Sequence, residues 1–478
     1  MKLFFGRFFF SLVLTYFLIK MVVNFCDFND LNMSLSLRLP LGSMGWPFFG
    51  ETFALRSQQQ KFYMIRQRTY GELFKTHVFG YPSIVTTSPE AAKFVLVEHP
   101  HLFRRRGLPF VEDALGYRFF GYIENHRLHM KLRKQLQVPL FHLHKLIPQL
   151  EAWAISLMRS WEGRTVNALQ EAKLYAFNVA TLFVLGQQSE NDRKELTKAC
   201  ECIIKGLGCW RLYFPGTNYF KACQGRYKAC ELVDKIVNRR RQARTTQHVD
   251  ILGILMDAED DDKIPMSNRE LRENVLTLLF AAHDATGAAL TWTLKNLREN
   301  ASLLDELTDE HDKIVQRKQV PDQPLTWTDI KDMLITQRVI KETLRIANVV
   351  DFSYREALED IAYNGYLIPK GWRVMVVHTT FHLDAQNYPS PNKFDHNRFE
   401  VAPKPFTYTP FGNGAHVCLG RELAQLEMFI FLHHFTTKYS SERLSVRGGL
   451  DRTSQPHACW CPSPNGNHQC RPVISLSY

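Results

Sequence analysis

Apolar residues recur at helical spacing through most of the chain. From residue 89 to about residue 318 they follow a helical period, and clusters of Pro, Gly and polar residues separate the segments. Two β-rich runs, 74–79 and 83–87, flank the turn sequence Gly80-Tyr81-Pro82 and predict a hairpin. A second patch at 362–377 predicts further short strands and turns. The pattern therefore predicts a fold that is mainly α with small β-sheets.

The first residues of the chain form an apolar stretch next to basic ones. Residues 8–25 are short for a membrane span, which needs about 20 apolar residues. No small-residue cleavage site of the kind that ends a signal peptide follows them. We therefore predict an N-terminal membrane anchor at 1–25 in preference to a cleaved signal peptide. A polar hinge with Pro and Gly is predicted at 26–47.

Basic residues outnumber acidic ones, with 59 Lys and Arg against 48 Asp and Glu and a formal net charge of +11. The surplus is dispersed, because the basic runs at 104–106 and 239–241 are short and carry no zinc-finger, homeodomain or RNA-reading signature. We therefore predict a solvated basic face and no nucleic-acid partner. Ten scattered cysteines in a chain this long predict reduced thiols and a catalytic domain facing the cytosol.

One cysteine, Cys418, stands in a special context. Residues 410–420 have the sequence PFGNGAHVCLG and precede a predicted helix at 421–434. The glycines at 412, 414 and 420 allow tight turns and the close approach of a flat ligand, and amides near a helix N-terminus stabilise a thiolate. An iron-ligating sulfur needs these features, and a thiolate ligand on haem iron favours O–O cleavage. The alternative is a glycine-rich loop with an incidental cysteine.

This loop resembles the cysteine-ligand loop of the cytochrome P-450 superfamily. The resemblance includes the aromatic Phe411, the glycines Gly412, Gly414 and Gly420, and the basic His416 two residues before the thiol. It implies a cytochrome P-450 fold, with a single large haem-binding domain predicted at 48–439. It also implies haem b (iron protoporphyrin IX) as the cofactor, with Cys418 as the axial ligand of the iron.

Two further segments resemble the family's buried Glu-Arg-Arg network. The segment KETLR at 341–345 contains Glu342 and Arg345, three residues apart and on one face of a helix. The segment FDHNRF at 394–399 contributes Arg398. The resemblance implies that the three side chains form a scaffold on the proximal side of the haem and take no part in the chemistry.

A long predicted helix at 268–299 contains the sequence AAHDAT at 281–286. The resemblance implies that this helix crosses the distal face of the haem and that Asp284 and Thr286 are catalytic, with Asp284 helping to deliver protons. Ala285 stands where the family usually has a threonine. Because a helix turns by about 100° per residue, Thr286 does not take over the same direction. A substrate hydroxyl or an ordered water would then complete the proton relay, and uncoupling or a non-oxygenating reaction is the alternative.

A third match is the pair His129 and Arg133, four residues apart on one face of a predicted helix. The pair resembles the residues that hold the haem propionates in the family, with His in place of the more usual Trp. Charged hydrogen bonds to carboxylates give the physical reason. Taken alone, the same residues would be a basic helix surface.

The resemblance runs from residue 39 to about residue 439 and is closest to the plant branch that contains abscisic acid 8′-hydroxylases. The segments 41–52, 354–372 and 399–414 carry it. It implies a monooxygenase of the endoplasmic reticulum membrane that uses O2, NADPH and an NADPH-cytochrome reductase to hydroxylate an apolar small molecule. Abscisic acid is the leading expectation. A strigolactone precursor, sterol, gibberellin precursor or triterpenoid, and a haem-thiolate isomerase or dehydratase, are the alternatives.

The segment at 440–478 departs from the resemblance. It is rich in polar residues, Pro and Gly, and its cysteines and histidines fit no standard zinc pattern. Our hypothesis is that an altered reading frame or a splice event near residue 440 produced this tail. An inactive splice variant is therefore a further alternative for function.

Overall fold

The computed structural model describes residues 37–46, 49–123, 125–162, 165–207, 209, 213–243, 250–259, 262–320, 323–438, 445–446, 460–461 and 473–475. Its α-helices are α1 Thr52–Gln58, α2 Gln60–Tyr70, α3 Pro89–Lys93, α4 Pro109–Leu115, α5 His126–Gln137, α6 Ile147–Ser160, α7 Ala168–Leu185, α8 Glu190–Gly206, α9 Asn218–Ala243, α10 Ile251–Asp257, α11 Asn268–Glu299, α12 Ala301–Gln316, α13 Trp327–Asp332, α14 Leu334–Ala347, α15 His378–His382 and α16 Arg421–Lys438. Its strands are β1 Leu73–Val78, β2 Tyr81–Thr86, β3 Phe103–Arg105, β4 Thr165–Asn167, β5 Phe352–Ala357, β6 Ile361–Tyr363, β7 Tyr366–Ile368, β8 Arg373–Val377, β9 Ser445–Val446, β10 Trp460–Cys461 and β11 Val473–Ser475. Short 3-10 helices lie at Pro100–Leu102, Phe120–Tyr122, Val138–Leu146, His396–Glu400 and Gly414–His416, and a π-helix lies at Phe94–Glu98.

A five-stranded sheet organises the unit made of Phe352–Thr380 and the described residues up to Arg106. The strand order is β1-β2-β8-β5-β3, in which only the β2–β8 pair is parallel. Phe74 of β1, Val85 of β2 and Met375 of β8 are fully buried in one apolar cluster beneath it. The predicted hairpin and the predicted second group of strands are both confirmed.

The segment at 37–46 is non-helical and is bonded to strands of the same unit. Lys75 N–H donates to Leu41 O at 2.9 Å, and Leu367 N–H donates to Arg38 O at 3.0 Å. The predicted anchor at 1–25 lies outside the described residues. Within the part of the chain that the structure describes, no helix has both the length and the apolar character that a membrane crossing requires.

Two long helices, α7 and α11, form the centre of the second unit, which comprises Gly107–Asp351 and the described residues from Phe381 onward. A capping box between Ser267 and Glu270 starts α11, and the helix ends at Glu299, so the predicted helix at 268–299 is confirmed. The two helices approach closely at Gly287, where a Cβ atom would lie 2.6 Å from Lys173 Cγ. This contact fixes the side of α11 that faces α7.

The helix α14 gains its N-terminal cap from a neighbouring helix. The carboxylate of Glu310, on α12, accepts the N–H groups of Ile335 and Thr336 at 2.6 and 2.9 Å. It also accepts the Thr336 hydroxyl at 2.6 Å. A carboxylate at the positive end of a helix dipole stabilises the helix, and here it fixes α14 to α12.

Two buried histidines join α12 to α16. Because the Thr336 hydroxyl donates to Glu310, its oxygen accepts from His311 Nε2 at 3.0 Å. This leaves His311 Nδ1 as the acceptor for His433 Nδ1, 3.1 Å away. His311 is therefore neutral and has its proton on Nε2.

The sequence pattern missed two short strands inside the region predicted to be helical. β3 pairs with β5, which lies about 250 residues later in the chain, and β4 pairs in parallel with β11. Three-residue strands carry too little periodicity to be recognised, and their partners are distant in sequence. β11 and the antiparallel pair β9–β10 are the described parts of the segment at 440–478.

Acid is expected to unfold the protein partly through the two buried histidines. Burial lowers the pKa of His311 and His433 below the ordinary value of 6.5, and the neighbouring His434 lowers both further. Below pH 6.5 the unfolded chain therefore binds more protons than the folded protein. The free energy of unfolding falls as the pH falls, by about 1.4 kcal/mol per pH unit for each histidine.

The variant His433→Gln tests this expectation. Urea unfolding at pH 7.0 and pH 5.5 should give a difference in unfolding free energy that is roughly 1 kcal/mol smaller in His433→Gln than in the original protein. The exposed His142 provides the matched control His142→Gln, which should leave the difference unchanged. Equal pH dependence in all three proteins would contradict the expectation.

Candidate active site

The cysteine loop is a pair of tight turns ahead of α16. Gly412 and Gly414 both have a φ of 72°, a left-handed conformation that favours glycine. Gly412 N–H donates to Thr409 O at 2.9 Å, and Val417 N–H donates to Gly414 O at 3.1 Å. The loop therefore presents Cys418 three residues before the helix begins.

The side chain of Cys418 is exposed, whereas its backbone is fixed. Its N–H donates to Phe411 O at 2.9 Å, and Phe411 is partly buried against the helical core. Gly420 does not have a positive φ, so it is not needed for a turn. A Cβ atom at Gly420 would meet nothing within 4 Å, which leaves open space two residues beyond the thiol.

Helix α5 brings His129 and Arg133 to this loop. Arg133 is buried and donates from Nη2 to Val417 O at 2.7 Å. The ring of His129, also buried, lies 4.4 Å from the ring of His416. The spacing of four residues therefore places both side chains against the turn that precedes the thiol, as the helical pattern predicts.

These residues have the chemistry that a thiolate-bound haem requires. The site combines an exposed thiol before a helix N-terminus with open space at a glycine and with a buried guanidinium and two imidazoles. A thiolate ligates iron, and guanidinium and imidazole groups pair with carboxylates. Cys418 would hold the iron, and Arg133, His129 and His416 would hold the propionates.

The structure brings Glu342 and Arg345 of α14 together with Arg398 of the 3-10 helix His396–Glu400. The guanidinium of Arg345 donates to both carboxylate oxygens of Glu342 at 2.7 and 2.8 Å, and both side chains are fully buried. Arg345 also donates to the carbonyls of His382 and Pro391, each at 2.8 Å. Arg398 Nε lies 3.4 Å from Glu342 Oε1. The buried pair thus fixes two backbone segments, at His382 and at Pro391, that are distant from it in sequence.

His382 connects this network to the cysteine loop, and the sequence analysis missed it. Its Nε2 accepts the N–H of Thr409, the residue at which the loop begins, at 2.8 Å. Its Nδ1 therefore carries the proton and donates to Asn348 Oδ1 at 2.8 Å. No sequence spacing marks His382, because its partners lie 27 and 34 residues away.

The distal helix α11 turns successive side chains to different sides. Ala281 is exposed and Ala285 is half-buried, whereas Thr286 is buried. Small residues therefore occupy the open side of the helix, and the Thr286 hydroxyl does not lie on it. The catalytic roles of Asp284 and Thr286 stay predictions.

Asp284 has an ionic partner that the sequence did not reveal. Its Oδ1 forms an ion pair with Lys173 Nζ of α7, and its side chain remains half-exposed. The neighbouring His283 is buried with its ring edge-on to Phe177, at 5.5 Å. Burial lowers the pKa of His283 to about 4, against the opposite influence of Asp284, so the imidazole is neutral at pH 7. Asp284 is therefore the carboxylate of the stretch 281–286, and Lys173 is its ionic partner.

Comparison with known proteins identifies the family. The family model for Cytochrome P450 matches residues 40–469. The chain belongs to the cytochrome P450 family. The match includes part of the segment beyond residue 439, and it confirms the predicted cytochrome P-450 fold. The chain is a cytochrome P450 monooxygenase, with a haem-thiolate cofactor, and monooxygenases of this family use a redox partner, a substrate and O2.

Several curated P450s are similar along most of their length. Abscisic acid 8′-hydroxylase 1 of Arabidopsis thaliana is 41% identical over 87% of this chain and 88% of that protein. Abscisic acid 8′-hydroxylase CYP707A1 of Solanum lycopersicum is 38% identical over 88% and 89%. Among solved structures, retinoic acid bound cyanobacterial CYP120A1 has a TM-score of 0.77 and 27% identity, covering 92% of this chain and all of that one.

Removing one member of the buried ion pair is expected to destabilise this P450 strongly. Glu342→Gln leaves the Arg345 guanidinium buried without its counter-charge, which costs about 3–5 kcal/mol of unfolding free energy. The control is Glu400→Gln, because Glu400 pairs with Arg338 and is largely exposed, and it should cost less than about 1 kcal/mol. Urea unfolding of both variants measures the difference, and equal losses would contradict a special role for the buried pair.

The thiol of Cys418 is expected to determine the optical spectrum of the haem-loaded protein. Cys418→Ser replaces the sulfur by an oxygen that does not supply a thiolate, so the absorption spectrum of the reduced, CO-bound protein should lose its thiolate signature. Cys223→Ser, which removes a half-buried thiol from α9, should keep that signature. An unaltered spectrum in Cys418→Ser would show that another residue ligates the iron.

Proposed function

We propose that this P450 hydroxylates abscisic acid at the 8′ position. The observation that carries the proposal is the 38–41% identity to abscisic acid 8′-hydroxylases over most of the chain. The presence of the complete cysteine loop and of the Glu342–Arg345 pair supports an active member of the family. A function outside oxidation of small molecules has no support among the described residues.

The cofactor in this proposal is haem b, bound through Cys418. When bound, the haem supplies the activation of dioxygen that an unactivated C–H bond requires. The protein provides the thiolate, and the cysteine loop holds it at a fixed position through Phe411 and Arg133. Arg133 and His129 would orient the porphyrin by pairing with its carboxylates.

The residues of α11 would control space and protons beside the substrate. Ala281 and Ala285 lack bulk on the open side of the helix, which leaves room for an apolar molecule and for water. Asp284 is the carboxylate on this stretch, and its half-exposed side chain, paired with Lys173, would exchange protons with solvent. A water held by Asp284 would replace the hydroxyl that Ala285 does not supply.

Electrons would come from NADPH through a membrane-bound NADPH-cytochrome reductase. The formal charge of +11 supports docking of an acidic surface. The apolar, basic-flanked segment at 8–25 supports an N-terminal anchor in the endoplasmic reticulum membrane, with the catalytic part facing the cytosol.

Turnover of abscisic acid under oxygen-18 tests the proposal. With the reductase, NADPH and labelled O2, we expect one labelled oxygen atom in 8′-hydroxylated product by mass spectrometry, the second atom leaving as water. Omitting the reductase or substituting Cys418→Ser should abolish the product. Product formed without O2 would instead indicate an isomerase or dehydratase. Faster turnover of a sterol, strigolactone precursor, gibberellin precursor or triterpenoid would reassign the substrate.

A further inference from the structure

The loop between α4 and α5 lies on the N-terminal half of α11. Two consecutive side chains of α11, Glu273 and Asn274, are buried beneath it, with 4% and 1% of their surface exposed. They stand about three turns before Asp284 on the same helix. Within α11, Glu273 pairs with Arg269 and Asn274 Nδ2 donates to Glu270 O. Both side chains also bind the backbone of the loop at 116–122, which we call the clamped loop.

Three backbone groups of the clamped loop bind these two side chains. Arg118 N–H donates to Glu273 Oε2 at 2.8 Å, and Phe120 N–H donates to Asn274 Oδ1 at 2.8 Å. Asn274 Nδ2 returns a hydrogen bond to Arg118 O at 3.1 Å. Glu273 thus holds Arg118 and Asn274 holds Phe120, which fixes the position and direction of the loop relative to α11.

The clamped loop also touches Glu273 directly at Gly116. A Cβ atom there would lie 2.2 Å from Glu273 Cδ and 2.3 Å from Oε2. The φ of Gly116 is 114°, which side chains rarely adopt. The carboxylate therefore occupies the space that any other residue at 116 would need.

The side chain of Phe120, in the clamped loop, is connected to the cysteine loop through the ring of His129. The buried Phe120 ring is parallel to the ring of His129, with 6.2 Å between centroids and 12° between planes. His129 in turn lies 4.4 Å from His416, which is two residues from Cys418. Phe120 is therefore bonded through its backbone to α11 and packed through its ring on the side of the haem-thiolate site.

We propose that Glu273 and Asn274 are positioning residues of the active site. They hold the clamped loop so that Phe120 keeps His129 against His416, and they thereby couple the distal helix to the turn that presents the thiol. This role concerns how the thiolate site is held in place and does not depend on which substrate the enzyme oxidises.

A merely structural role would have a different consequence. Buried backbone groups need partners in any protein, and loss of a partner would then loosen the loop alone. If the clamp positions the active site, loss of the clamp also makes the backbone around Cys418 more mobile. The reduced, CO-bound protein then loses its thiolate absorption faster. Measuring both properties on the same variants separates the two roles.

The test uses the haem-loaded full chain and the variants Asn274→Leu and Glu273→Leu. Each removes at least one hydrogen bond between α11 and the clamped loop, so backbone hydrogen exchange in the peptide 116–123 should accelerate by about tenfold. The rate at which the reduced, CO-bound protein loses its thiolate absorption should rise by a similar factor. Glu273→Gln keeps an acceptor for Arg118 N–H and should restore both rates to within about twofold of the original protein.

Asn296→Leu is the matched control, because Asn296 is a buried asparagine of α11 that lies 22 residues from Asn274 and outside the clamp. It should leave the exchange of 116–123 and the spectral decay unchanged. Faster exchange with unaltered spectral decay in Asn274→Leu and Glu273→Leu would overturn the proposal. Spectral decay that rises equally in Asn296→Leu would overturn it as well. Neither readout uses abscisic acid, so failure of the proposed substrate leaves the test intact.

Discussion

The thiol of Cys418 must face open space while the backbone that carries it stays fixed. A glycine-rich loop does not supply that rigidity alone, because glycine loses more conformational freedom on folding than any other residue. The structure supplies it from outside the loop. Arg133 binds the carbonyl of Val417, and His382 binds the N–H of Thr409. The sulfur is therefore exposed, while other elements hold the loop that precedes it at both of its ends.

The buried Glu342–Arg345 pair extends the same constraint into the core. Burying two charges costs several kcal/mol per ion unless every group finds a partner. Arg345 meets this condition with the Glu342 carboxylate and with the carbonyls of His382 and Pro391. His382 is thereby placed where its ring meets the start of the cysteine loop. A buried charge pair thus fixes the backbone of the residue that binds the start of the cysteine loop.

Local spacing was sufficient to predict much of the fold and part of the site. The helix at 268–299, the hairpin and the grouping of His129 with Arg133 depend on periods of two, three or four residues, which are visible in the sequence. Contacts between distant segments leave no such period. His382 with Thr409, Lys173 with Asp284 and the clamp on Phe120 arise only when the chain folds. The strands β3 and β4 were missed for the same reason.

Helix α11 shows how the order of two neighbouring residues decides which side chain faces a given side of a helix without altering the fold. Ala285 and Thr286 are equally compatible with a helix, so exchanging the order of a small residue and an alcohol costs little stability. The consequence is directional, because neighbouring residues differ by about 100° around the axis and Thr286 is buried while Ala285 is half-buried. The carboxylate of this stretch belongs to Asp284, which is ion-paired with Lys173. The proton relay through Asp284 that we propose would accordingly operate beside the ammonium group of Lys173.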